Sequence, residues 1–134
     1  MKVIEIEGIG PAYAGKLAEA GIITVEGLLE RGATPKGRRA IAAATGISEG
    51  TILRWVNIAD LFRVRGIGRQ YSQLLEAAGV DTVVELSKRV PANLTRKMNE
   101  VNTEKRLVRK TPAETLVRAW VEQAKALPRI VTHR

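Results

Sequence analysis

Shifted by 58 positions against itself, the chain lays residues 8–31 on residues 66–89 without a gap. Gly8, Ile9, Gly10, Tyr13, Leu17, Ala20, Gly21, Thr24, Val25, Leu28 and Arg31 each recur 58 residues later. A repeat of this kind sets the architecture before any local signal does, because each copy must form the same small unit. Past the block the match loosens. Pro35 and Pro91 each open a helical stretch, and Trp55-Val56 matches Trp120-Val121 at a shift of 65. The second copy is thus longer by about seven residues, which fall in the basic stretch 98–111. The expected organisation is all-α: two pseudo-repeats of short helices, 1–58 and 59–134, in one compact domain.

Local signals agree with helices. Tyr71, Leu74, Leu75 and Ala78 are spaced as one face of a helix. Gly79 provides a left-handed stop, with Val80 folding back as its apolar partner. Thr82 and Glu85 form a capping box, and Thr111-Pro112-Ala113-Glu114 reads as another with proline at the first helical position. The same Gly-stop and restart recurs at 20–22 and 45–48. Helices are expected near 11–20, 25–31, 36–44, 49–63, 69–78, 83–89, 92–101 and 113–127. No segment alternates as a strand does, and 3–6 reads as a short extended entry.

The helix at 49–63 is apolar around most of its circumference, with only Arg54, Asn57 and Asp60 as a polar stripe. Such a helix is buried by more than one neighbour. Trp55, Trp120, Tyr13 and Tyr71 stand among apolar helical positions and are expected in the core. With aromatics at 4% of the chain, little stacking surface then remains for single-stranded nucleic acid. The first copy has only a few residues ahead of its Gly-Ile-Gly turn, so the helix at 113–127 is expected to pack there.

Charge is the second constraint. Lys and Arg number 22 against 14 Asp and Glu, for a formal net charge of +8. A balance this basic points to a polyanionic partner, most often nucleic acid. The excess lies in the second half. Between residues 88 and 110, Lys88, Arg89, Arg96, Lys97, Lys105, Arg106, Arg109 and Lys110 face only Glu100 and Glu104. There is no cysteine, and the single histidine is His133, so disulfides and Cys-based zinc sites are excluded. No signal peptide or membrane span is legible, and a cytoplasmic location is the expectation. The scattered carboxylates show no spacing for a two-metal site, and no nucleophile-base set or phosphate loop is present. The expectation is a protein that is not an enzyme and uses no metal or cofactor.

The two turns differ in their flanks. Gly8-Ile9-Gly10 stands beside Glu5, Glu7 and Pro11; Gly66-Ile67-Gly68 stands beside Arg63, Arg65 and Arg69. Two glycines let the backbone turn sharply and keep side chains clear. The helix that follows starts with unpaired N–H groups and a partial positive charge, which together favour a phosphate. Arginines add charge-assisted bonds to that phosphate. Carboxylates repel it, and Pro11 removes a donor. The second turn has the chemistry of a phosphate site; the first has the shape with the charge reversed, and reads as a packing turn.

These segments resemble the helix-hairpin-helix proteins, whose Gly-apolar-Gly hairpins bind DNA phosphates without reading sequence. Three stretches, IEGIGPAYAGKLAEAGIITVEGLL, WVNIADLFRVRGIGRQYSQLLEAAGVDTVVEL and VRAWVEQAKALP, are similar to a bacterial family catalogued as a domain of unknown function. That family has tandem hairpin units and often carries a flap-endonuclease-like label. The resemblance implies sequence-independent binding of nucleic acid, duplex DNA first. The residues expected to carry it are Arg63, Arg65, Gly66, Ile67, Gly68 and Arg69, supported by Lys88, Arg89, Arg96 and Lys97. The alternative is a protein-interaction or assembly module with no nucleic-acid role, its basic face docking an acidic protein partner.

Overall fold

Each Gly-Ile-Gly segment is followed by four helices, as a tandem repeat requires. The computed structural model describes residues 1–133. A single 3-10 turn, Val3–Glu5, comes first. It is followed by α1 (Pro11–Glu19), α2 (Val25–Arg31), α3 (Pro35–Thr45), α4 (Glu49–Leu61), α5 (Arg69–Ala77), α6 (Val83–Ser87), α7 (Pro91–Lys105) and α8 (Glu114–Ala126). The fold is all-α: among the described residues there is no strand, only one isolated bridge between Lys2 and Thr24. The chain divides into two compact units. One is Met1–Asp60 together with residues 130–133, and the other is Leu61–Arg129.

The repeat extends to individual backbone bonds. In the first unit Ile6 N–H donates to the Val3 carbonyl at 3.0 Å and Ile9 N–H to Ile6 at 3.1 Å. In the second, Val64 donates to Leu61 at 3.1 Å and Ile67 to Val64 at 3.2 Å. The helices after the turns stop the same way. Gly21 and Gly79 take φ of +85° and +91°. Past them Ile22 and Val80 fold back, their N–H groups donating to Leu17 (2.8 Å) and Leu75 (2.9 Å). Thr24 and Thr82 then cap α2 and α6 through their side-chain oxygens. Arg31 reaches the Ala20 carbonyl at 3.0 Å, and Arg89 reaches Ala78 at 3.5 Å.

Both tryptophans are buried, each against the tyrosine of its own unit. The ring centroids of Tyr13 and Trp55 are 5.1 Å apart, and those of Tyr71 and Trp120 are 5.2 Å apart. In the first unit Leu17, Ile22, Leu28, Ile41 and Ile52 join Trp55 in the core. In the second, Leu74, Leu75, Leu86, Leu94, Met98 and Val117 surround Trp120, and α8 packs on α6 and α7. Each such side chain contributes about 1.5–3 kcal/mol when fully buried. Burial of Ile52, Trp55, Val56, Ile58 and Ala59 agrees with the all-round apolar pattern of α4.

Four expectations are corrected. Tyr13 is not core: it is 41% exposed, with its ring edge on Trp55 and the Lys16 ammonium 5.9 Å from its centroid. Residues 3–5 coil into a 3-10 turn instead of an extended entry. Helix α7 continues past 101 to Lys105, because it ends on Arg106 in the left-handed region (φ +51°), a stop that no glycine or asparagine advertises. Helix α8 starts at Glu114, with Ala113 as an N-cap that makes no side-chain bond. Pro112, expected as its first residue, is instead buried ahead of the helix.

Val131 and Thr132 are held to the first unit around one buried cation. Arg38 is 5% exposed; its Nη1 donates to the carbonyls of Gly32 (2.9 Å) and Ala33 (3.2 Å), and its Nη2 to Thr132 (2.7 Å). Thr132 N–H returns a bond to the Ala33 carbonyl at 2.8 Å, and Val131 is buried beside it. Burial pushes the guanidinium pKa below its ordinary value, opposed by the charge of Glu49. Arg38→Met keeps the aliphatic stem but takes the donor from the Gly32 and Thr132 carbonyls, while Ala33 keeps the Thr132 N–H. It is expected to cost about 1–3 kcal/mol and to expose the segment at 130–133 to limited proteolysis. Thermal melting and a timed digest with a broad-specificity protease would check both.

Candidate nucleic-acid interface

The two glycines of each turn have different jobs. Gly8 and Gly66 need their φ of +97° and +91°, which a side chain rarely adopts. They also lie on the tryptophans. A Cβ at Gly66 would meet Trp120 Nε1 at 3.1 Å; one at Gly8 would meet Trp55 Nε1 at 3.6 Å and Arg54 Nη1 at 3.3 Å. The helix that closes on each turn is therefore the last long helix of its own unit, α4 for the first and α8 for the second. The tryptophan of 113–127, a helix expected at the first turn, lies under the second.

Gly10 and Gly68 are the N-caps of α1 and α5, in extended backbone with φ of −89° and −119°. A Cβ at either would meet nothing within 4 Å. Neither an unusual φ nor internal packing demands glycine there. What the missing Cβ leaves open is close approach to the first N–H groups of the helix from outside. Gly68 itself offers α5 no capping side chain, and the first N–H groups of the helix have no i−4 carbonyl. Helix α1 opens with Pro11 and has one donor fewer.

The charges around the turns are uneven. Arg65 and Arg69 are exposed beside the second turn, and Ile67 is buried and anchors it. Arg65 N–H donates to Gln123 Oε1 on α8 at 3.0 Å, which fixes the backbone on the approach to Gly66. Arg63 is half-buried and its Nη2 donates to the Pro128 carbonyl at 2.7 Å, so it also braces the end of α8. At the first turn Ile9 is the buried anchor, and Arg54 from α4 adds a cation near Gly8. Sequence reasoning missed Arg54 and Gln123. Each comes from a distant helix, and only the fold reveals its proximity.

The supporting cations do not form one cluster with the turn. Arg89 binds the carbonyl of Ala78, at the far end of α5 from Gly68. Helix α5 has nine residues, so that end is about 13 Å along the axis. Lys88 ends α6 next to Arg89. Arg96 and Lys97 are exposed midway along α7. Among the described residues no group of three or more His, Cys, Asp or Glu side chains could hold a metal ion. No helix among them is long and apolar enough to cross a membrane.

Two like helical units, each opening on a Gly-Ile-Gly turn seated on a tryptophan, define an all-α protein with internal duplication. The chain belongs to the family described as a domain of unknown function (DUF4332), whose model matches residues 7–127. No curated protein matches the chain, and no solved structure does.

Proposed function

We propose that this is a tandem helix-hairpin-helix protein whose second turn binds the phosphate backbone of nucleic acid, duplex DNA first, without reading sequence and without catalysis. The observation that carries the reading is Gly68. It is a glycine that neither φ nor packing calls for, placed at a helix start to which it offers no capping side chain, between exposed Arg65 and Arg69. Backbone donors and a partial positive charge suit a phosphate oxygen there, and the arginines add charge-assisted bonds. The first turn has the same backbone with Glu7 and Pro11 in place of Arg65 and Arg69, and its role is packing.

Affinity should be modest, with Kd on the order of 10⁻⁴–10⁻⁶ M at physiological salt. For about three phosphates neutralised at the second turn, log K should fall with log salt at a slope near −3 from this site alone. Gly68→Ala is expected to lower stability by up to about 1 kcal/mol, because alanine is a poorer N-cap than glycine, while weakening duplex binding about 10-fold or more. The matching Gly10→Ala should cost the same small amount of stability and leave binding unchanged, because its Cβ also meets open space but no phosphate is held there. Arg65→Glu/Arg69→Glu should weaken binding further and reduce the slope by about 2. Fluorescence anisotropy with a labelled duplex measures all of these. If the unaltered protein shows no salt-dependent binding at tens of micromolar, the nucleic-acid reading falls and the protein-interaction alternative stands.

A further inference from the structure

The longer second copy spends its extra residues on an ordered cationic loop that has no counterpart in the first unit. Helices α3 and α4 are joined by residues 46–48, whereas α7 and α8 are joined by residues 106–113. Lys105, Arg106, Arg109 and Lys110 are all exposed there, and no carboxylate lies between 105 and 110. None of the four side chains makes an ion pair or hydrogen bond with another described residue.

The loop is braced from inside. The Asn102 side chain grips the main chain of Val108 from both directions: Nδ2 donates to the Val108 carbonyl at 2.9 Å, and Val108 N–H donates to Oδ1 at 2.9 Å. Val108 is buried, and Leu107 packs against the core of the unit. Arg106 N–H closes α7 on the Asn102 carbonyl at 2.8 Å. The Asn102 amide and two apolar anchors hold the main chain of the loop in a fixed frame with its four cations outward, so little backbone ordering entropy remains to be lost on binding.

A second tether sets where the loop stands. Tyr71 Oη donates to the Lys110 carbonyl at 3.3 Å. Tyr71 is in the first turn of α5, two residues and about 3 Å of helix axis beyond Arg69. Helices α5 and α7 pack on each other, and Arg89, just ahead of α7, is tied to the opposite end of α5. The pair therefore runs antiparallel. The basic loop stands at the Gly68 end and Lys88-Arg89 at the other.

We infer that the loop at 105–110 is a second phosphate-binding element, taking the backbone of the same nucleic-acid duplex that the second turn holds. This inference rests on the nucleic-acid reading of that turn. A duplex carries one charge per roughly 1.7 Å of axis, so cations on a braced loop one tyrosine side chain from the turn meet further phosphates of one bound molecule. In this arrangement Lys105, Arg109 and Lys110 supply the long-range part of the charge that the sequence spreads over 88–110.

The test is a salt titration of duplex binding by anisotropy between about 50 and 200 mM. Lys105→Gln/Arg109→Gln/Lys110→Gln leaves Arg106 and the Asn102 brace intact. It is expected to lower the steepness of log K against log salt by about 2–3 and to weaken binding at least about 10-fold at the lower salt. Lys88→Gln/Arg89→Gln, with its charges at the far end, should lower it by less than about 1. The charge-keeping Lys105→Arg/Arg109→Lys/Lys110→Arg should retain the original slope. If the unaltered protein binds with salt dependence but the loop variant keeps its slope, the loop inference is overturned and the turn reading survives. An equal effect from Lys88 and Arg89 would also overturn it, since placement at the turn would then not matter. If the unaltered protein does not bind at all, both readings fail together. Should the triple variant melt early, single Arg109→Gln and Lys110→Gln variants carry the test, each expected to change the slope by about 0.9.

Discussion

Gly37→Ala is expected to destabilise the first unit by about 3 kcal/mol, toward the upper end of what overpacking costs. A Cβ at this position would run into the carbonyl oxygen of Arg31 and lie 3.4 Å from Thr34 Oγ1. The first of these contacts decides the size. It is a backbone oxygen in the last residue of α2, so no rotamer change relieves it. Helices α2 and α3 would have to separate, and Leu28 and Ile41, both fully buried, would lose contacts. The Thr34 cap, whose oxygen accepts from Gly37 N–H at 3.1 Å, would shift with them. Gly15→Ala is the internal control. Gly15 lies inside α1, and a Cβ added there would meet nothing within 4 Å, so the same chemical change removes a flexible glycine from a helix at no steric cost. It should stabilise by roughly 0.5–1 kcal/mol. A melting series across the two variants should therefore show opposite signs. A drop of less than about 1 kcal/mol for Gly37→Ala would mean that α2 and α3 do not approach this closely in solution.

How much of this was legible in the sequence depends on whether a feature is local. The Thr82 cap, the Gly79 stop with Val80 folded behind it, and the buried faces of α4 and α5 all follow from residues within a turn or two of each other. The start of α2 at Val25 was readable from Thr24 for the same reason. The end of α7 was not. Residues 102–105 carry no apolar period, and the helix persists because Asn102 accepts the closing bond and then clamps Val108 with its side chain. At the candidate site, the shape and the reversed charge of the two turns were legible, since glycines, Glu7, Arg65 and Arg69 are adjacent in sequence. The division of the basic stretch was not. One run of cations from 88 to 110 is folded by α7 so that its two ends lie at opposite ends of α5, a separation that composition cannot express. The tryptophans show the same limit. Their core position was readable, but that each seats the first glycine of its own unit's turn came only with the fold.

Trp120→Ala is expected to cost the second unit about 3–5 kcal/mol and to abolish duplex binding with it. Trp120 is fully buried, packs against Tyr71 and supports Gly66 from below, so its removal opens a cavity under the turn itself. Loss of binding in that variant follows from loss of the turn's shape, although Arg65 and Arg69 remain. Trp120→Phe separates the ring's bulk from its polar edge. The indole Nε1 is buried and has no hydrogen-bond partner among the described residues. An unpaired buried donor costs about 1–3 kcal/mol, and phenylalanine does not carry it. That gain offsets much of the packing lost with the smaller ring, so Trp120→Phe should change stability by no more than about 1 kcal/mol and leave duplex affinity within about 3-fold. Gly66→Ala should behave like the alanine variant, because its Cβ must enter the left-handed region and also press on Nε1. Chemical denaturation and anisotropy on these three proteins give the result. If Trp120→Phe loses as much stability as Trp120→Ala, the indole N–H has a partner in solution, and the seat beneath the second turn is polar instead of apolar.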